Sequence, residues 1–249
     1  MATGTTTRDL QPVAAKKPPP RKKLRRLSNV LIGVGVFILL YCGLILWWGD
    51  PVTWLYAQYQ QRGLTSQLHH ETQRFQNEKV PASDTAALAM VRKQALAFGH
   101  SVHNSQAIGR LEIGRIGLSV VVVQGTDWGS DLSKGPGHYS QTPMPGLGTT
   151  IGIAGHRTTF GAWFRHIDSI RNGDWITLQM PYATFHYQVQ YHQVVASNDW
   201  AIIKPHGYER LILSACHPLY SASHRWVVFA RAMTITLPNG RTLHLASRA

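Results

Sequence analysis

The sequence predicts an all-β fold, an antiparallel barrel or sandwich of about eight short strands, preceded by a transmembrane helix and a short helical stalk. Three observations lead there. Val30 to Trp48 contains no charged residue. The next thirty or so residues are polar and rich in glutamine up to Pro81. From Ile108 onward the apolar period shortens to two, with Gly- and Pro-containing breaks between runs.

At the N-terminus, residues 1–29 form a basic tail. Eight Lys and Arg stand against Asp9 alone, so the tail holds +7 of the chain's net +13. With Pro18, Pro19 and Pro20 and few apolar residues, it has too little to bury and is expected to stay unfolded. Residues 30–48 follow as an apolar run. At about 1.5 Å per residue it spans roughly 29 Å, the thickness of a bilayer core. Trp47 and Trp48 close it, and no Lys or Arg recurs until Arg62. The positive-inside rule then places the N-terminus in the cytoplasm and the rest of the chain outside. A cleaved signal peptide is the competing reading, but its apolar core would be shorter and end in small residues rather than Trp-Trp-Gly-Asp.

Residues 49–105 are read as an extracytoplasmic helical stalk. Pro81 breaks it, and Ser83 or Asp84 caps a second helix whose face is Leu88, Val91, Ala95 and Phe98, with Gly99 at its end. This second helix is expected to pack on the main domain.

Strands are predicted at Ile108–Ile113, Leu118–Val123, Thr150–Ala154, Trp175–Leu178, Phe185–Val195, Arg210–Ala215, Trp226–Ile235 and Thr242–Leu245. The clearest is the fifth, where Phe185, Tyr187, Val189 and Tyr191 alternate with His186, Gln188 and Gln190. Gly135–Gly148 reads as a surface loop. Together residues 106–249 make the β-domain.

Chemistry concentrates in three segments. Ile151-Gly-Ile-Ala-Gly155 runs as a strand into His156. Leu211-Ile-Leu-Ser-Ala215 runs into Cys216, the sole thiol outside the apolar run, since Cys42 lies within it. Arg225 opens the strand after Cys216. A thiolate, an imidazole and a guanidinium are sufficient for acyl transfer: nucleophile, proton carrier and oxyanion partner. Arg suits the last role because it stays charged and offers several donors in a rigid fork. Each residue also has an inert reading. Cys216 is alternatively a buried core thiol, His156 is one of 13 histidines, and Arg225 is alternatively an edge-strand charge.

Ala154-Gly155-His156-Arg157-Thr158-Thr159-Phe160-Gly161, followed by Phe164, resembles the histidine segment of sortases, most nearly the class E type of actinobacteria. Ser214-Ala215-Cys216-His217-Pro218 and Arg225 resemble that family's cysteine and arginine segments, over roughly residues 106–236. The resemblance implies an eight-stranded sortase β-barrel with His156, Cys216 and Arg225 at the catalytic positions. It implies a cysteine transpeptidase that cleaves a C-terminal sorting motif of surface proteins (Leu-Pro-x-Thr-Gly or Leu-Ala-x-Thr-Gly) between Thr and Gly. The acyl group then passes to an amine of a cell-wall precursor or a pilin. No metal or organic cofactor is needed. One departure stands out: the family's Thr-Leu-x-Thr-Cys reads Ile212-Leu213-Ser214-Ala215-Cys216 here, without the hydroxyl before the cysteine.

Other classes fit less well. An L,D-transpeptidase has a different cysteine context, Ser-His-Gly-Cys-x-Arg. A non-catalytic membrane-tethered module for anionic envelope polymers would use the basic charge, much of which sits in the tail. A nucleic-acid partner is not expected, as no such motif or basic-aromatic stripe appears. His69, His70, His100 and His103 are read as surface histidines rather than zinc ligands. With 12 acidic residues and no acidic cluster, no calcium site is expected either.

Overall fold

The computed structural model describes residues 22–48 and 50–245, in two compact units divided after Leu46. The basic tail up to residue 21 lies outside the described residues.

The first unit is an N-terminal helix, α1 (Lys22–Trp48). By length and composition it is long and apolar enough to cross a membrane, and its membrane-length window within Lys22–Ile45 is not buried. It begins eight residues before the apolar run, so Lys22–Asn29 of the expected unfolded tail are helical. Leu, Lys and Arg are good helix formers, and the apolar turns that follow supply the nucleus.

In the second unit two helices precede the sheet, α2 (Pro51–Gln76) and α3 (Asp84–Ser101). The strands are β1 (Ala107–Ile113), β2 (Leu118–Gln124), β3 (Gly137–His138), β4 (Thr150–Ala154), β5 (Trp175–Gln179), β6 (Thr184–Ala196), β7 (Arg210–His217), β8 (His224–Thr236) and β9 (Thr242–His244). They pair in the order β6-β5-β1-β2-β3-β4-β7-β8-β9, and β6 also pairs with β8. That last pairing closes an eight-stranded barrel, leaving β9 as a hairpin arm on β8. The expected eight-stranded barrel is thus present.

The barrel is filled by alternate residues. Leu111 and Ile113 of β1, Ile151 and Ile153 of β4, Phe185 and Tyr187 of β6, and Leu211, Leu213 and Ala215 of β7 share one core. The intervening residues of β7 therefore face outward. Ile212 covers a smaller cluster there with Val195, Val227 and Phe229.

Three local expectations change. Gly135–Gly148 is not a surface loop: Gly135 to His138 are buried, and β3 bridges β2 in parallel and β4 in antiparallel sense. A Cβ on Gly135 would sit 2.6 Å from the Val121 carbonyl, so only glycine lets the chain pass so close to β2. In α3 the helix continues past Gly99 to Ser101, and a Cβ at 99 would lie 3.3 Å from Met144. There glycine serves contact rather than termination. The buried stripe of α3 centres on Ala87, Val91, Ala95 and Phe98, while Leu88 is exposed.

Despite its polar sequence, α2 lies along the barrel. Ala57, Leu64 and Leu68 are buried, the two leucines against Ala107, Val121 and Val123. Gln61 donates to the carbonyls of Val121 and Lys134 at 2.9 Å and accepts from the Val121 N–H at 2.8 Å. Its amide meets β2 as a neighbouring strand would.

Candidate active site

β4 and β7 run parallel and in register through Ala154↔Ser214. The ladder continues one bond further, from Gly155 N–H to the Ser214 carbonyl at 3.0 Å. His156 and Cys216 each stand two residues past that rung, on strands leaving the barrel at the same rim. Cys216 in turn pairs directly with Arg225 across the antiparallel β7–β8 ladder. Directly opposed residues on such strands share a face, with Cα atoms about 4.5–5.5 Å apart. Cys216, half-buried, is on the outward face, because Leu213 and Ala215 point into the core. So the structure brings all three predicted residues to one rim of one sheet.

A second tie joins the histidine and cysteine segments. Arg157 is only 5% exposed, and its guanidinium donates to the Cys216 carbonyl at 3.4 Å. It also donates to the Arg165 carbonyl and forms an ion pair with Asp168 at 2.6 Å. Arg157 lies within the histidine motif, and no role was expected of it from the sequence.

The His156 ring is half-buried between Trp128 and Phe160, with centroids 6.1 and 5.7 Å away. Its Nε2 is buried without a protein partner. Burial pushes the imidazole pKa below 6.5, so the neutral ring is the resting form at neutral pH. The loop that carries it is tightly determined. A Cβ on Gly155 would lie 2.6 Å from the Phe164 ring, which is fully buried beneath the rim. The Phe164 N–H returns to the His156 carbonyl at 3.0 Å. Phe160, Gly161 and Ala162 all have positive φ, and the Phe160 N–H is fixed at 2.9 Å by the Thr53 hydroxyl of α2.

On the guanidinium side, Nη1 of Arg225 donates to the carbonyls of Ala222 and His224, each at 3.0 Å. The β7–β8 connection thereby orients its own arginine. Beyond Cys216 along the outward face, the Ser214 hydroxyl meets the Tyr139 hydroxyl at 2.8 Å, and the Tyr139 ring lies over Gly152, where a Cβ would strike it. Trp200 packs edge-on against Tyr139 at 6.3 Å. Tyr139 and Trp200 were not singled out from sequence, and Ser214 was named only as part of the cysteine segment.

Ala215 resolves the departure noted in the cysteine motif. It is 3% exposed in the barrel core, so a hydroxyl at that position would point away from the face that bears Cys216. A cavity of about 450 Å³ opens at the other end of β7, beside Arg92, Gly146, Tyr208, Glu209 and Arg231, and none of the three site residues borders it. His69, His70, His100 and His103 are exposed on or just after the two helices.

Residues 111–233 match the family described as the Sortase domain. The matched span, about half of the chain, is a sortase domain. Sortase D of Bacillus subtilis (strain 168) is 35% identical over 133 residues, which cover 52% of this chain and 65% of that protein. The chain thus spans just under two thirds of that relative's length. Sortase E from Streptomyces avermitilis is 28% identical with a TM-score of 0.50, covering 55% of this chain and 94% of that one. A Clostridium perfringens Sortase D5 transpeptidase, 22% identical with a TM-score of 0.54, shares the fold over 68% of this chain and 97% of its own.

Proposed function

We propose that this chain is a membrane-anchored sortase that uses Cys216 as nucleophile, His156 as proton carrier and Arg225 as oxyanion partner. The observation that carries the reading is the Cys216↔Arg225 rung at the rim where β4 delivers His156. The substrate is a surface protein with a C-terminal sorting motif of the Leu-Pro-x-Thr-Gly or Leu-Ala-x-Thr-Gly kind. Resemblance in the histidine segment, together with the likeness to Streptomyces avermitilis sortase E, supports class E. Residues 30–48, within α1, serve as the anchor, and the basic flank sets the N-terminus in the cytoplasm.

In the reaction, neutral His156 takes the thiol proton as sulfur bonds to the Thr carbonyl carbon. Arg225 stabilises the oxyanion that forms. The C–N bond to glycine then breaks, and His156 returns the proton to the departing amine, leaving a thioester on Cys216. An amine of a cell-wall precursor or a pilin attacks that thioester. It loses its proton by way of His156, and the free thiol is restored. The half-exposed position of Cys216 suits entry of both substrates.

Incubating the full chain with sorting-motif peptides and measuring intact mass tests this directly. The expected product is an acyl adduct on Cys216, absent in Cys216→Ala. A Cys216→Ala protein that cleaves the peptide at the wild-type rate would rule the mechanism out.

A further inference from the structure

The N-terminal part of α2 exposes an apolar face that the barrel does not use. Val52, Leu55 and Tyr59 are 64%, 66% and 73% exposed, and their spacing of three and four places them on one side of the helix, opposite Ala57, Gln61 and Leu64. Trp54, half exposed, lies about 100° round the helix from Leu55, off this stripe. Single apolar residues on a surface are ordinary, but a contiguous stripe marks a contact. The same face, continued along α2, turns polar: Arg62, Ser66, His69 and His70 are all exposed. The apolar stretch is therefore confined to Pro51–Tyr59, about 13 Å of helix at ~1.5 Å per residue.

Its place in the chain selects the occupant. α2 starts three residues after α1 ends at Trp48, and α1 is the helix proposed above to cross the membrane. We infer that the Val52–Leu55–Tyr59 face beds in the headgroup region of the lipid bilayer, with Arg62 as the first cation at phosphate level. Tyr59 suits that layer because one end of its ring is apolar and the other polar. This inference rests on the membrane-anchor reading of residues 30–48.

The same turns hold the candidate site from an adjacent side. Thr53 accepts the Phe160 N–H, the Tyr56 ring packs edge-on against Phe160 at 6.3 Å, and Phe160 packs on His156. A helix is about 10–12 Å across. The His156 loop is thus kept within about one helix diameter of the lipid headgroups, on the surface where membrane-borne substrates arrive.

Spin labelling of the full chain in bilayers of phosphatidylcholine and phosphatidylglycerol tests this. In a Cys42→Ser, Cys216→Ala background, a single cysteine is placed by Ile38→Cys, Leu55→Cys, Tyr59→Cys or His70→Cys. Collisional broadening by oxygen and by a water-soluble nickel chelate then reports depth. Labels at 55 and 59 are expected to be several-fold less accessible to nickel than the label at 70, and the label at 38 the most protected. Labels at 55 and 59 as nickel-accessible as that at 70 overturn the proposal while protection at 38 leaves the anchor intact. Nickel access at 38 as well overturns the anchor reading itself. Protection at 55 and 59 that disappears in nanodiscs holding one chain assigns the face to a second copy and likewise overturns the proposal.

Discussion

Cys216 and Arg225 stand opposite each other on the β7–β8 ladder, one rung before the strands part at His217 and His224. The pairing is made by backbone hydrogen bonds, so it survives changes in either side chain. Function and stability are therefore separable at this rung.

Arg225→Ala is expected to lower kcat by about 10²- to 10³-fold, the usual loss for an oxyanion donor. Its melting temperature should stay within a few degrees of wild type, because the guanidinium's hydrogen bonds among the described residues go to the nearby Ala222 and His224 carbonyls. Arg225→Lys restores charge without the fork and should recover only part of the rate. Peptide-cleavage kinetics beside thermal melts make the check; equal loss of both would assign Arg225 a structural role.

Trp128 is 63% exposed yet covers the His156 ring. Burial disfavours the imidazolium form, so removing the cover raises the His156 midpoint toward 6.5. Trp128→Ala should shift this midpoint upward in an NMR titration and move the acidic limb of the rate profile the same way. An unmoved resonance would show that Trp128 contributes nothing to the burial.

His138 gives the fold an acid sensitivity separate from the site. It is 1% exposed, with ring nitrogens against Gln124 and Thr142 at 2.8 and 3.0 Å, and burial pushes its pKa down to about 4. The unfolded chain binds the proton near 6.5, so this contribution is complete above that pH and is lost as pH falls toward 4. About 3 kcal/mol of stability is expected to go with it. Urea midpoints between pH 7 and 4 measure the loss, and His138→Gln should flatten that slope.

Arg157→Ala removes a buried guanidinium that joins Asp168, the Arg165 carbonyl and the Cys216 carbonyl. Asp168 is 42% exposed and regains water, so the expected cost is about 2 kcal/mol rather than that of a sealed pair. The rate should also fall, because the carbonyl of the proposed nucleophile loses its tether. Denaturant unfolding and kcat are the measurements; unchanged kcat would sever Arg157 from the site.

The barrel was largely legible because β6 and β7 advertise themselves. Phe185, Tyr187 and Val189 alternate with polar residues, and Leu211 to Ala215 form an apolar run ending at Cys216. β3 left no such trace. Gly137 and His138 are a strand only because β2 and β4 stand either side of them. The seat of α2 was hidden for a related reason: Gln61, a polar residue, fills a buried position through hydrogen bonds that periodicity does not register. The arrival of His156, Cys216 and Arg225 at one rim could be anticipated, because each stands at the end of a strand. Arg157 could not, since its partners Asp168 and Arg165 come from the following loop.

Gln61 also has a bearing on self-association. By occupying both the N–H and the carbonyl of Val121, it blunts a stretch of sheet margin that would otherwise template another strand. Were α2 peeled away, that margin would lie open beside the apolar Val121–Val123 surface. The segment that leads into the barrel therefore doubles as its guard against edge-to-edge polymerisation.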